Sequence, residues 1–158
     1  MIKAEKKNEK GRVERPDLQM DRINHLTEEI ASLYHAAALK LGLADSVLAI
    51  LYTLSTMKGE YSITDICFTA GMSKQTVNSA LRKLEREGAV VLKAIDGKKK
   101  KAALTEKGAG LAEKTAKKLI RAENNALSSW KEEEVSEYLR LMKKFFASLK
   151  EQIDKIEV

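Results

Sequence analysis

The amino-acid sequence predicts a mainly α-helical chain with one small β-hairpin, and three observations support this fold class. Apolar residues recur at steps of three and four along most of the chain, the spacing that gathers them on one face of a helix. Only one proline and eight glycines interrupt 158 residues, and aromatic residues make up 5%, so a sheet-rich fold with many turns is not expected. One short stretch, residues 90–104, has the pattern of a hairpin.

The N-terminal part predicts an arm and two helices. Residues 1–15 are almost entirely polar, and we expect a flexible basic arm because they contain too little apolar surface to fold. Pro16 suits the first turn of a helix, and apolar residues then follow at helical spacing as far as Gly42. A second, more apolar helix follows, with Asp45 or Ser46 as its N-terminal cap.

The central part has the pattern of two helices joined by a tight turn. Residues 61–63 are predicted to be extended and to lead into a short helix at 64–69. Gly71 breaks the chain before a longer helix at 74–87, for which Ser73 is the expected cap. Two helices connected in this way form a helix-turn-helix.

The hairpin follows this motif directly. A strand at 90–95 is predicted to turn at Asp96-Gly97, or through a somewhat longer lysine tip, and to return at Ala103-Leu104. A helix-turn-helix followed at once by a hairpin is a winged helix. The predicted fold is therefore mainly α with a small β-hairpin wing.

The C-terminal part predicts two more helices. Thr105 can cap the first, which we expect to run without a break to about Ala126, and Ser129 with Glu132 can form a capping box for the last. The last helix has a long apolar face made of Val135, Tyr138, Leu139, Met142, Phe145, Phe146, Leu149, Ile153 and Ile156. A second copy of the chain is its simplest cover, so a homodimer is expected.

These elements divide the chain into four regions. We predict a flexible basic arm at 1–15, a dimerisation helix at 16–43, a winged helix-turn-helix DNA-binding lobe at 44–107 and C-terminal dimerisation helices at 108–158. The first residues are charged where a signal peptide would be apolar, and no run of about 18 apolar residues occurs. We therefore expect a soluble cytoplasmic protein that does not enter a membrane.

The positive charge of the chain is concentrated in one segment. Nine basic and three acidic residues lie between Ser73 and Lys101, and this net charge of +6 equals the formal net charge of the whole chain. Basic and acidic residues balance elsewhere. Local basicity of this kind indicates a polyanionic partner.

The predicted helix at 74–87 has two different faces. Val77, Leu81 and Leu84 share one face, and hydrogen-bonding side chains share the other. No acidic residue occurs from Ser73 to Arg82, whereas a solvated face usually mixes Glu with Lys. Such side chains read base edges and grip phosphates, so double-stranded DNA is the expected partner, with plain solvation as the alternative. The candidate DNA-binding residues are Ser73, Lys74, Gln75, Asn78, Ser79, Arg82, Lys83 and Arg86.

Four consecutive lysines, Lys98, Lys99, Lys100 and Lys101, are predicted at the tip of the hairpin. Their mutual repulsion favours a nearby anion, and we expect them to contact phosphates or the minor groove; a solvated loop is the alternative. Lysines read sequence poorly, so the wing should supply affinity and salt dependence rather than selectivity.

Together these motifs resemble the MarR family of winged-helix regulators, over about residues 17–156. The resemblance rests on an order of six helices, on MSKQTVNSALRKLEREGAV with its Leu-Glu-x-x-Gly exit and on DGKKKKAALTEKG with its Leu-Thr-x-x-Gly exit. It implies a homodimeric regulator, a repressor on a palindromic operator, whose half-sites lie about one helical turn apart. It also implies operator contacts by Ser73, Gln75, Thr76, Asn78, Ser79 and Arg82, and Asp96 at the wing aspartate position. The family usually has arginine at the position of Lys98, and often at that of Ser79.

The resemblance also implies a candidate effector cleft. Many family members release DNA when a small phenolic or lipophilic compound binds between the dimer arms and the DNA-binding lobe. His25, Tyr34, His35 and Tyr52 are the candidate lining residues. We favour the alternative that they are ordinary packing and surface residues, because their spacing is not peculiar to a ligand site.

The sequence does not predict catalysis or a cofactor. Cys67 is the single cysteine, which excludes a cysteine-based zinc cluster, and its apolar neighbours favour a buried thiol over a redox sensor. His25 and His35 lie about 80° apart around a helix and are a poor pair of metal ligands. No phosphate-binding glycine loop is present. The alternative function is a winged-helix adaptor that binds an acidic protein surface or RNA.

Overall fold

A computed structural model describes residues 16–57, 59–96 and 99–157. This part of the chain contains seven α-helices and one three-stranded antiparallel sheet, which confirms the predicted fold class. The helices are α1 Pro16–Lys40, α2 Asp45–Thr56, α3 Ile63–Ala70, α4 Lys74–Arg86, α5 Glu106–Lys114, α6 Ala116–Leu127 and α7 Glu132–Ile153. The strands are β1 Tyr61–Ser62, β2 Val90–Asp96 and β3 Lys99–Leu104. The predicted arm at 1–15 and Lys98 lie outside the described residues.

Helix α2 is the centre of the winged-helix lobe, which we define as residues 45–104. Ile50 and Leu51 of α2 are completely buried, and α3, α4, α5 and α6 all pack against this helix. Ile66 of α3 and Leu81 of α4 are completely buried in the same core. Full burial of one such side chain contributes about 1.5–3 kcal/mol, so the core fixes α4 firmly on the lobe.

The turn between α3 and α4 is fixed by hydrogen bonds at the helix ends. The Ser62 side chain accepts a hydrogen bond from the backbone N–H of Asp65 at 3.1 Å, which starts α3. Gly71 ends α3 in the left-handed conformation with φ of +62°, where a side chain would be strained. The Ser73 side chain then accepts from the backbone N–H of Thr76 at 3.1 Å, as predicted, and α4 begins.

The corner between α1 and α2 is sharp. Gly42 ends α1 with φ of +69°, and the backbone N–H of Leu43 donates to the carbonyl of Ala38 at 3.0 Å. Within the described ranges no single helix is long and apolar enough to cross a membrane. Leu18–Lys40 and α2 taken together have the length and composition to do so, and the two segments meet at an angle of 93°.

The wing differs in detail from the prediction. The strand order is β1-β3-β2, so β1 extends the hairpin on the side of β3. Strand β3 begins at Lys99, and Lys101 lies opposite Lys93 of β2. Side chains alternate along a strand, so Lys99 and Lys101 point to one face of the sheet and Lys100 to the other. The prediction that Lys99, Lys100 and Lys101 belong to a hairpin tip is therefore wrong.

The helix predicted from Thr105 to Ala126 is two helices. Thr105 caps the first as expected, because its hydroxyl accepts from the backbone N–H of Gly108 at 3.0 Å. The backbone then breaks at Thr115, with φ of −129° and ψ of −90°, which gives seven helices in the described chain instead of six. The predicted boundary between 107 and 108 falls inside α5.

Two predicted caps are also wrong. The N-cap of α2 is Ala44, which has no side chain able to accept a hydrogen bond. Helix α7 follows Lys131 as its N-cap, and the Glu134 carboxylate accepts from the backbone N–H of Lys131 at 2.8 Å. The Ser129–Glu132 capping box is not formed, because the helix begins two residues later than that motif requires.

The two longest helices, α1 and α7, contribute little to the core. Helix α7 contains no buried residue, and Ala38 is the one fully buried residue among those described in α1. Their exposed large apolar residues include Ile23, Leu26, Ile30, Leu33 and Leu39 on α1, and Tyr138, Leu139, Met142, Phe145, Phe146, Leu149 and Ile153 on α7. A wide apolar surface therefore remains uncovered in a single copy of the chain.

Candidate nucleic-acid interface

Helix α4 presents a polar face to solvent because its apolar face is held in the lobe. Val77, Leu81 and Leu84 are completely buried, and they lie at the three- and four-residue spacing of one helix face. The opposite face borders a surface depression of about 930 Å³, lined by Lys74, Gln75, Asn78, Ser79, Arg82, Glu85 and Arg86. We call these seven residues the recognition face. Six of them were predicted as candidate DNA contacts, and Glu85 was not.

The remaining candidates on α4 lie beside this face. The hydroxyls of Ser73 and Thr76 hydrogen-bond to each other at 2.8 Å at the start of the helix, and both residues are exposed. Lys83 is exposed outside the depression. The first turn of α4 contains no acidic residue, so the partial positive charge of the helix N-terminus is available to an anion.

The cations of α4 differ from those of the C-terminal helices in their pairing. In the part of the chain that the structure describes, Lys74, Arg82 and Arg86 form no ion pair. Arg121 of α6, by contrast, pairs with Glu113 at 2.9 Å, and Arg140 of α7 with Glu137 at 2.6 Å. The positive charge of α4 is thus uncompensated within the protein and exposed to a partner.

The wing carries a smaller uncompensated charge. Lys93 of β2 forms an ion pair with Glu60, and this contact lowers the pKa of the Glu60 carboxyl, with a further contribution from Lys101. Lys99 and Lys100 are exposed at the start of β3. Sequence reasoning missed Glu60, which partly neutralises the base of the wing.

A second cavity, of about 590 Å³, lies between α1, α2, α6 and the turn before α4. Of the four candidate effector residues, Tyr34, His35 and Tyr52 line it together. His25 is not part of the lining and lies on exposed α1 beside Glu29, with 3.6 Å between Nε2 and Oε1. We call this space the α1–α2–α6 cavity.

The polar centre of this cavity is the Glu123 carboxylate. The Tyr34 hydroxyl donates to Oε1 and the Tyr52 hydroxyl donates to Oε2, each at 2.7 Å. The hydrogen bond to Glu123, followed by burial, raises the pKa of Tyr34 to about 12. Burial and then the hydrogen bond to Glu123 raise the pKa of Tyr52 as well. One carboxylate therefore links α1, α2 and α6.

Near the mouth of the cavity His35 and Asp45 interact, with 2.9 Å between Nδ1 and Oδ2.

Within the described residues, no group of three or more His, Cys, Asp or Glu side chains is arranged to hold a metal ion. Cys67 is half-buried and packs against the lobe core.

The chain is similar to known proteins in sequence and in structure. Residues 41–101 match the model of the MarR family, and no curated protein matches the chain. NMB1585, a MarR family regulator from Neisseria meningitidis, is 18% identical with a TM-score of 0.78, and the match covers 87% of this chain and 97% of that one.

Two ligand-bound structures also share the fold. NadR in complex with 4-hydroxyphenylacetate is 19% identical with a TM-score of 0.63, and the match covers 92% of this chain and 98% of that one. The PcaV transcriptional regulator of Streptomyces coelicolor, in complex with its natural ligand, is 15% identical with a TM-score of 0.62, covering 80% of this chain and 92% of that one. At these identities the likeness establishes the fold.

Proposed function

We propose that this chain is a MarR family DNA-binding regulator of transcription, and that it acts in the cytoplasm as a homodimeric repressor on a palindromic operator. A two-fold axis between two copies would present two α4 helices to successive turns of the major groove. The half-sites would then lie about one helical turn apart. We propose no catalytic activity and no cofactor.

The observation that carries this proposal is the uncompensated charge of the recognition face. Its cations have no acidic partner among the described residues, while the opposite side of the same helix is completely buried. A rigid helix that presents Gln75, Asn78 and Arg82 to solvent can place hydrogen-bonding groups against base edges. Lys74 and the N-terminus of α4 would contact phosphates.

The wing would contact the DNA beside the recognition helix. Lys99 and Lys100 are exposed where β3 begins, and we propose that they, with Lys98 and Lys101, lie against phosphates or the minor groove. Because lysines contact phosphates without reading bases well, this contact would make affinity strongly dependent on salt.

The uncovered apolar surfaces of α1 and α7 support the homodimer. Phe145 and Leu149 are each 41% exposed, and Leu33 is 70% exposed. Large exposed apolar side chains in this number are usual at a subunit interface and unusual on a monomer. The dimer would fix the distance between the two recognition faces.

We also propose that a small molecule regulates DNA binding from the α1–α2–α6 cavity. Its volume of about 590 Å³ lies within the range of about 300–1,000 Å³ that small-molecule sites occupy. NadR has been solved with 4-hydroxyphenylacetate and PcaV with its natural ligand, which makes an effector a reasonable expectation for a chain of the same fold.

Selection of bound duplexes from a random pool, with purified protein, tests the proposal. We expect a palindrome that binds about 10³-fold or more tightly than random duplex. Arg82→Ala should then cost about 1–3 kcal/mol and relax the preference at one position. Arg121→Ala removes an equal charge that is already paired with Glu113, and it should leave affinity nearly unchanged.

Failure would be visible in either measurement. If no duplex is enriched over random sequence, the chain is not a sequence-specific regulator, and binding to RNA or to an acidic protein should be measured instead. If Arg82→Ala and Arg121→Ala reduce affinity equally, the recognition face does not read the operator.

A further inference from the structure

We propose that the α1–α2–α6 cavity takes a lipophilic cation, an amine or quaternary ammonium group on an apolar or aromatic body, in preference to an organic anion. This inference rests on the proposed function only in assigning that cavity as the effector site. The chemical class of the ligand follows from the charges, the apolar lining and the position of Glu123.

The charge of the lining is negative. Glu123 and Asp45 both line the cavity, and neither lysine nor arginine occurs among its described lining residues. His35 is the one basic side chain of that lining, and it is already engaged with Asp45. An organic anion would therefore meet like charge at Glu123 without a free cation to balance it.

Glu123 is held in a way that leaves room for a cation. Both of its oxygens accept hydrogen bonds from tyrosine hydroxyls, which are neutral donors and do not cancel its charge. A carboxylate has about four lone-pair sites, so an amine could donate to Glu123 in competition with the hydroxyls, while a quaternary ammonium, which has no N–H, would be attracted by the charge alone. The rings of Tyr34 and Tyr52 adjoin the same carboxylate, and aromatic rings attract cations as well.

The rest of the lining favours an apolar body on the ligand. Its apolar side chains are Ala31, Leu48, Ala49, Ala70, Met72 and Leu119. Three of these are alanines, whose small side chains leave the space open. A charged head near Glu123 and an apolar body along these residues would satisfy both parts of the cavity.

The same position gives the ligand a route to DNA binding. Glu123 ties α1 and α2 to α6 through the two tyrosines. Ala70 and Met72 line the cavity at the turn that leads into Ser73, the N-cap of α4. A cation that competes with the hydroxyls for Glu123 would move α1 against the lobe, and its body would press on the turn that orients the recognition face.

Calorimetry with three small probes tests the inference. Benzyltrimethylammonium is the cation, neopentylbenzene replaces its nitrogen by carbon and is neutral, and 4-hydroxyphenylacetate is an aromatic anion. We expect the wild-type protein to bind the cation at least tenfold more tightly than either other probe. Glu123→Gln should remove most of this difference, whereas Glu113→Gln, which removes an exposed carboxylate outside the cavity, should preserve it.

Several results would overturn the inference. The anion could bind the wild type as tightly as the cation does, or the cation could show no measurable binding. The preference for the cation could also persist in Glu123→Gln. If circular dichroism shows that Glu123→Gln does not fold, the cation affinity of Tyr52→Phe tests the inference instead. It removes one donor from Glu123, so cation affinity should rise several-fold, and unchanged or weaker binding would reject the proposal.

DNA binding, measured on the selected duplex by fluorescence anisotropy, separates this inference from the proposed function. If the unliganded wild type binds no duplex specifically, the proposed function fails whatever the cavity binds. If it binds the duplex but shows no preference for the cation, only the ligand class assigned here is wrong.

Discussion

The winged-helix lobe and the two long helices differ in the burial of their apolar residues. In the lobe Ile50, Leu51 and Leu81 are completely buried against neighbouring elements of the same chain. In α7 no residue is buried, and Phe146 is 70% exposed. Apolar residues recur at helical spacing in both regions. The spacing alone therefore does not tell whether an apolar helix face is buried within the same chain or left exposed.

This difference separates two tasks. The lobe is held by its own core, so it can present the recognition face as a rigid surface whether or not a partner is bound. In the proposed dimer a second copy would bury the apolar residues of the long helices, so the burial of those residues would depend on protein concentration. In the proposed regulator, the lobe supplies the contact with DNA and the long helices supply the distance between two such contacts.

The largest effect should come from the lobe core. Leu81→Ala removes a completely buried side chain and should lower the free energy of unfolding by about 2–5 kcal/mol, as measured by urea denaturation. Ser79→Ala on the exposed face of the same helix should change it by about 0.5 kcal/mol or less. If both variants unfold at the same urea concentration, the interior of α4 is not packed as described.

A smaller effect per side chain is expected on the long helices, and it should appear in assembly. Phe145 is 41% exposed in one copy, and burial of such a side chain in a dimer contributes about 1.5–3 kcal/mol. Phe145→Ala should therefore raise the dimer dissociation constant in sedimentation equilibrium, whereas Lys144→Ala should leave it nearly unchanged. Equal dissociation constants for the two variants would show that this face of α7 does not lie in the dimer interface.

Local signals explain the features of the fold that the sequence predicts well. Ser73 and Thr105 cap their helices as expected because each cap depends on a backbone N–H only three residues away. The break at Thr115 gives no such signal, since Leu111 and Leu119 continue the helical spacing across it. Thr115 and Ala116 are both buried at the break.

The candidate sites show the same limit. Helical spacing is sufficient to place Arg82 away from the face formed by Val77, Leu81 and Leu84, so the recognition face follows from α4 alone. Its contacts with DNA remain predictions. Glu123 could not be found in this way, because its partner Tyr34 is 89 positions away. Likewise, His25 lies on the same helix as Tyr34 and His35 but outside the cavity that they line.

Two glycines of α5 distinguish its lobe-facing side from its solvent-facing side. A Cβ on Gly108 would lie 1.8 Å from the carbonyl oxygen of Ala89, while one on Gly110 would meet nothing within 4 Å. Gly108→Ala should therefore destabilise the fold by about 1–3 kcal/mol or more. Gly110→Ala should stabilise it by about 0.5–1 kcal/mol. Urea denaturation measures both changes, and effects of the same sign would contradict the packing of α5 on the lobe.

The smallest effect concerns the contact where α1 meets the lobe, and it depends on pH. The hydrogen bond to Glu123, followed by burial, raises the pKa of Tyr34 from 10.0 to about 12 in the folded protein, and burial followed by the hydrogen bond to Glu123 raises that of Tyr52. Folding thus favours the protonated phenols. Their contribution to stability is complete below pH 10 and is lost as pH rises through the folded-state values.

Urea denaturation at a series of pH values checks this expectation. The free energy of unfolding of the wild type should fall more steeply above about pH 10 than that of the double variant Tyr34→Phe, Tyr52→Phe. Between pH 7 and 9 the difference between the two proteins should stay constant, because the tyrosines are protonated in both the folded and unfolded states. Parallel curves at all pH values would mean that Glu123 does not hold the two hydroxyls in solution, and α1 would then be joined to the lobe by apolar contacts alone.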